Sequence, residues 1–163
     1  MKKLLVLVVG AGLLAGSAPG WAQEAKKRDE RVAKVFDAAG IKYVTNETGD
    51  FQLLSPAEGD RTQALFITSG TNTFGALEIR EVWAIGYSSK EPPPADLLAR
   101  LLADNATTVV GAWRLEKAGD ATHLIFAVQI PAEVDWPTLG TALKTVAVTA
   151  DATEKRLTGK DDY

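Results

Sequence analysis

The chain has 163 residues, of which 24% are charged, with 18 Lys and Arg against 21 Asp and Glu, a single His and no Cys. That length suits one domain. Without Cys there are no disulfides and no thiolate zinc sites, and no basic stripe with interleaved aromatics is present to suit a nucleic acid.

The first residues are tripartite. Lys2 and Lys3 precede an apolar run from Leu4 to Leu14, and the small or turn-forming residues Gly16 to Gly20 follow. Gly20 and Ala22 set small side chains before a cut at Gln23, the pattern of a secretory signal peptide. The apolar run is short for a membrane span of roughly 20 residues. Residues 1–22 are therefore expected to be a cleaved signal, and residues 23–163 a single periplasmic or secreted domain with no stable membrane anchor. Cleavage would remove two lysines and no acid, leaving the mature chain more acidic than the formal −3 of the whole.

In chain order, Glu24–Ala39 reads as a helix, with Val32, Val35, Phe36 and Ala39 on one face and Gly40 as its stop. The period then changes to two. Short strands are expected at 41–45, 50–54 and 61–68, with a loop of turn formers over 69–73. The clearest strand is Leu77–Tyr87, where Leu77, Ile79, Trp83, Ile85 and Tyr87 alternate with Val82, Ala84 and Gly86. Pro92-Pro93-Pro94 stops it and opens a helix over 95–104. Strands 107–115 and 122–130 surround the turn Lys117-Ala118-Gly119-Asp120. Asp135 and Pro137 then start a long helix that ends at Thr158-Gly159. The order α-β-β-β-β-α-β-β-α, with short hairpin connections, implies an α+β fold: one antiparallel sheet with helices packed mainly on one face. The core is expected from Val35, Phe36, Leu53, Ile67, Leu77, Ile79, Trp83, Ile85, Leu101, Trp113, Leu124, Phe126, Val128, Leu139, Leu143 and Val146, each on an apolar face of its element.

Candidate chemistry is sparse. His123 is the one histidine and lies on the strand face opposite Leu124 and Phe126, with no second base or ligand near in sequence. Carboxylate pairs such as Asp161-Asp162 fall in turns and tails, where no apolar pocket would raise one pKa. Gly59 between Glu58 and Asp60 fails the calcium-loop spacing, and Ser69-Gly70 lacks a nucleophile-elbow frame. No catalytic residue, cofactor site or metal site is expected. If Trp83 and Phe126 point at the helices, Val82, Ala84, Ile125 and Ala127 share the other face of the sheet, with His123, Gln129 and Arg114 beside them. A sheet face so rich in small apolar residues is expected to pack on a protein partner or on a second copy, giving a homodimer.

Two stretches carry a family resemblance. Leu101-Leu102-Ala103-Asp104-Asn105 leads to Gly111-Ala112-Trp113-Arg114-Leu115, and the final helix closes with Ala150-Asp151-Ala152-Thr153-Glu154 and Leu157-Thr158-Gly159-Lys160-Asp161. These resemble the helix-to-strand step and the C-terminal tail of the YbjN-like bacterial domain, which shares the type III secretion chaperone-like fold. The resemblance implies a non-enzymatic, chaperone-like, protein-binding domain without cofactors. The alternative from the residues alone is a small-ligand or envelope-lipid binder, which would need an enclosed apolar cavity.

Overall fold

The computed structural model describes residues 27–163. The expected signal segment, 1–22, and its cleavage point lie outside the described residues. Three helices and seven strands follow one another as α1 (Glu30–Ala39), β1 (Val44–Thr45), β2 (Phe51–Pro56), β3 (Thr62–Ile67), β4 (Asn72–Phe74), β5 (Leu77–Ser89), α2 (Ala95–Thr107), β6 (Ala112–Ala118), β7 (Ala121–Pro131) and α3 (Trp136–Thr158). The strands form one antiparallel sheet in the order β1-β2-β3-β5-β7-β6, with β4 pairing the start of β5. This is the α+β arrangement expected from the sequence. The short β4 falls where a loop was expected. No helix among the described residues is long and apolar enough to cross a membrane.

Helix ends follow local chemistry. The first helix starts at Glu30 rather than Glu24, because Asp29 is its N-cap: the carboxylate accepts from the Arg31 amide at 2.8 Å. Asp29 is also tied to the fully buried Arg80 at 2.6 Å, which fixes where the helix can begin. The last helix is bounded as its sequence signals indicate, by Asp135 capping Thr138 and by Gly159 in the left-handed region. The second helix runs a turn further than expected, to Thr107, and β6 begins correspondingly late.

The core lies between the helices and one face of the sheet. Phe36 of α1, Leu101 of α2 and Leu139, Leu143 and Val146 of α3 meet Ile67, Val82, Ala84, Phe126 and Val128. Cross-strand pairing explains the grouping. Ile67 lies opposite Val82, Val82 opposite Val128, and Ala84 opposite Phe126, so all belong to one face. Four of the expected core residues therefore do not belong to it. Trp83, Ile85 and Ile79 point to the other face, and Leu77 is 62% exposed beside the β4–β5 turn.

The physical reason is the closeness of α3. It presents Ala142, Ala147 and Ala150 to the sheet, and β5 answers with Ala84 and Gly86. A Cβ on Gly86 would sit 2.6 Å from Cη2 of Trp113 and 3.2 Å from the Ala150 carbonyl oxygen, so only glycine fits. The register also slips here: Ile85 lies opposite Ile125 and Tyr87 opposite Leu124, leaving Gly86 as a bulge. Tyr87 consequently returns to the core face although Ile85, two residues earlier, is outside it. The bulge coincides with a gap between β5 and β3, where the fully buried Gln63 donates from Nε2 to the Ile85 carbonyl at 3.0 Å.

Candidate docking face on the sheet

All three helices contribute to the core on one side, so the opposite side of the sheet is free of helices among the described residues. Pairing places a single row across it: Gln52, Phe66, Trp83, Ala127 and Ala112, each opposite the next on adjacent strands. A second row joins Ile85, Ile125 and Arg114. The centre is apolar. Phe66 and Trp83 stack with ring centroids 4.2 Å apart and planes 15° apart, both half-buried. Beside them Arg114 donates from Nη1 to both carboxylate oxygens of Glu81, at 2.8 and 2.7 Å. Gln129 lies opposite Glu81, and His123 opposite Glu116.

The expected quartet is thus divided. Ile125 and Ala127 do lie on the helix-free side, with Arg114, Gln129 and His123 as neighbours, but both are themselves buried and form its floor rather than its exposed surface. Val82 and Ala84 are fully buried beneath the helices and cannot take part. Their places are taken by Trp83 and Ile85, which alternation in β5 assigned to the core because they are larger, and by Phe66 of β3, which pairs with Trp83. His123 is half-buried on this face, and its Nδ1 has no hydrogen-bond partner among the described residues.

Two further polar clusters are built into the core, and the sequence reading found neither. In the first, the Arg80 guanidinium donates to the carbonyls of Ala132 and Thr68 and to Asp29. Arg31 joins Asp29 to Glu78. Burial works against the Asp29 anion, but hydrogen bonds from Arg31 and Arg80 outweigh it and hold its carboxyl well below the usual range. Glu78 is lowered to about 2, chiefly by the hydrogen bond from Arg31.

In the second cluster, Arg61 reaches Asp151 at 2.5 Å and Glu154 at 3.2 Å, with Asp161 at 4.0 Å. Burial pushes the Glu154 carboxyl up. The chain then folds back on this helix: the Asp162 amide donates to Glu154 at 2.6 Å, and the Thr62 amide donates to Asp161 at 3.2 Å. The three carboxylates lie close enough to hold a metal ion. The guanidinium of Arg61 already supplies the positive charge among them, so the donor set reads as a closed ion-pair cluster. A signal for it was present, since Asp151 and Glu154 fall on the same apolar stripe as Val146 and Ala150. Arg80 had no comparable signal, being one charge in an alternating strand.

Comparison with known protein families, with characterised proteins and with solved structures finds no match for this chain.

Proposed function

We propose that this chain is an exported, non-enzymatic, chaperone-like protein-binding module of the bacterial envelope, of the YbjN-like kind, and that it receives its partner on the helix-free face. The observation that carries this reading is the stacked, half-buried pair Phe66 and Trp83 at the centre of that face. Solvated faces of antiparallel sheets are ordinarily polar, and contiguous apolar surface marks interaction sites. Trp83 is the natural anchor, since aromatic residues dominate binding energy at interfaces. The internal pairing of Arg61 and Arg80 with the buried carboxylates supports a structural rather than a catalytic use of those groups.

The test is capture from envelope extract on immobilised protein, followed by mass spectrometry, with Trp83→Ala as the comparison. A discrete partner lost in the variant, which stays folded with only a modest fall in its denaturation midpoint, is the expected result. Equal capture by both proteins removes the face from consideration. A change of mass in solution between wild type and variant would instead make the partner a second copy.

A second reading, envelope-lipid binding, rests on a shallow, open groove between α1 and the start of α3, which suits a lipid surface rather than the enclosed small ligand that a cavity would hold. It is lined by Lys34, Val35, Ala38, Ala39 and Trp136. Its apolar floor and single cation suit an anionic amphiphile. Titration with anionic lipid vesicles would shift Trp fluorescence, and Trp136→Leu would abolish the shift.

A further inference from the structure

The edge of the sheet at β6 is closed by a side chain. Asn105, in the last turns of α2, accepts from the Trp113 amide at 2.7 Å and donates from Nδ2 to the Trp113 carbonyl at 3.1 Å. One side-chain amide therefore makes both bonds that an added strand would make to this residue. The β6–β7 hairpin turns over Gly119-Asp120, with Ala118 opposite Ala121. The backbone groups facing β7 are then those of Ala118, Glu116, Arg114 and Ala112, and those of Lys117, Leu115 and Trp113 face outward. The outward groups of Leu115 and Lys117 have no backbone partner among the described residues.

This open edge is self-complementary. A two-fold axis at Leu115 would set Arg114 of one chain opposite Glu116 of a second copy, twice, on the same sheet face. Opposite charges at such positions favour pairing. Leu115 and Leu102 are both large and exposed, and Leu102 precedes Asn105 by one turn of α2. In that register Lys117 of the second copy falls opposite Trp113, where its backbone would need the position that Asn105 fills. We infer that Asn105 is an edge guard: its side chain prevents β6 from pairing with β6 of a second copy of this chain. Natural sheets commonly protect edges against such association.

The test compares wild type with Asn105→Ala by light scattering and amide hydrogen exchange. In wild type the Trp113 amide exchanges slowly and the Leu115 amide fast. In Asn105→Ala the molar mass doubles relative to wild type and the Leu115 amide becomes protected. Adding Leu115→Pro restores the wild-type mass, because it removes an N–H that the β6–β7 ladder does not use. If Asn105→Ala does not fold, Asn105→Ser, whose shorter side chain lacks the amide that spans both groups of Trp113, is read in the same way. A folded variant of unchanged mass with a fast Leu115 amide overturns the inference, as does slow Leu115 exchange in wild type. Self-association through the helix-free face changes neither the Leu115 exchange nor its response to Leu115→Pro, so the two ideas fail separately.

Discussion

Trp83 and Phe126 lie on adjacent strands, with Trp83 opposite Ala127 and Phe126 opposite Ala84, and they point to opposite sides of the sheet. Their truncations are therefore expected to differ. Phe126→Ala empties a fully enclosed site and should cost about 3–5 kcal/mol. Trp83→Ala removes a half-buried ring from the open face and should cost about 1 kcal/mol. Urea denaturation of the two variants measures this, and equal costs would contradict the assignment of faces.

Gly86→Ala brings a methyl against the Trp113 ring and the Ala150 carbonyl. Overpacking of this kind costs about 1–3 kcal/mol. The same change at Gly70, which has open space around its would-be Cβ, should be nearly silent. Thermal melts of the pair show whether the helix–sheet spacing is as tight as the distances indicate.

Arg80→Met removes one of the two arginines that hold Asp29 and leaves the carbonyls of Ala132 and Thr68 without their side-chain donor. A buried acceptor left unsatisfied costs about 1–3 kcal/mol, which denaturant titration would detect; Arg31 still pairs with Asp29. The pH dependence should change with it. The folded Asp29 carboxyl is depressed, so its contribution is complete above the ordinary carboxylate value near about 4 and is lost as pH falls through the folded value. In Arg80→Met the acid limb of the stability profile should flatten.

Glu154 acts with the opposite sign. Its folded carboxyl is raised, so the stability it contributes is present below the ordinary glutamate value and is lost as pH rises through the folded value. Glu154→Gln should therefore gain on wild type as pH is raised from acid to neutral. Urea midpoints of both proteins over that range give the difference, and a difference independent of pH would count against a raised carboxyl.

Legibility in the sequence followed the range of the determinant. The bounds of α3 were readable because Asp135, Pro137 and Gly159 act within a turn of the ends they set. The core faces of β7 and α3 were readable from period alone. The face of β5 was not. Alternation identifies two sets of residues but not which set meets the helices, and the bulky set was the natural choice. The choice is made by α3, whose alanines leave room only for Ala84 and Gly86 beneath it. Half of the expected docking quartet was misplaced for that one reason. Asn105 was hidden for another: its bonds go to a residue across the α2–β6 loop, and no local pattern marks a side chain that imitates a strand.

The bulge at Gly86 gives β5 a change of parity. Before it, even-numbered residues face the helices; after it, Tyr87 does so, and Ser88 pairs outward with His123. The ladder on either side is already in phase without Gly86, since Ile85 and Tyr87 sit opposite the adjacent residues Ile125 and Leu124. This position should therefore accept a shorter chain more readily than a larger side chain. Deleting Gly86 keeps every neighbouring residue on its present side and opposite its present partner. At this point the strand can spare a residue but cannot accept a side chain.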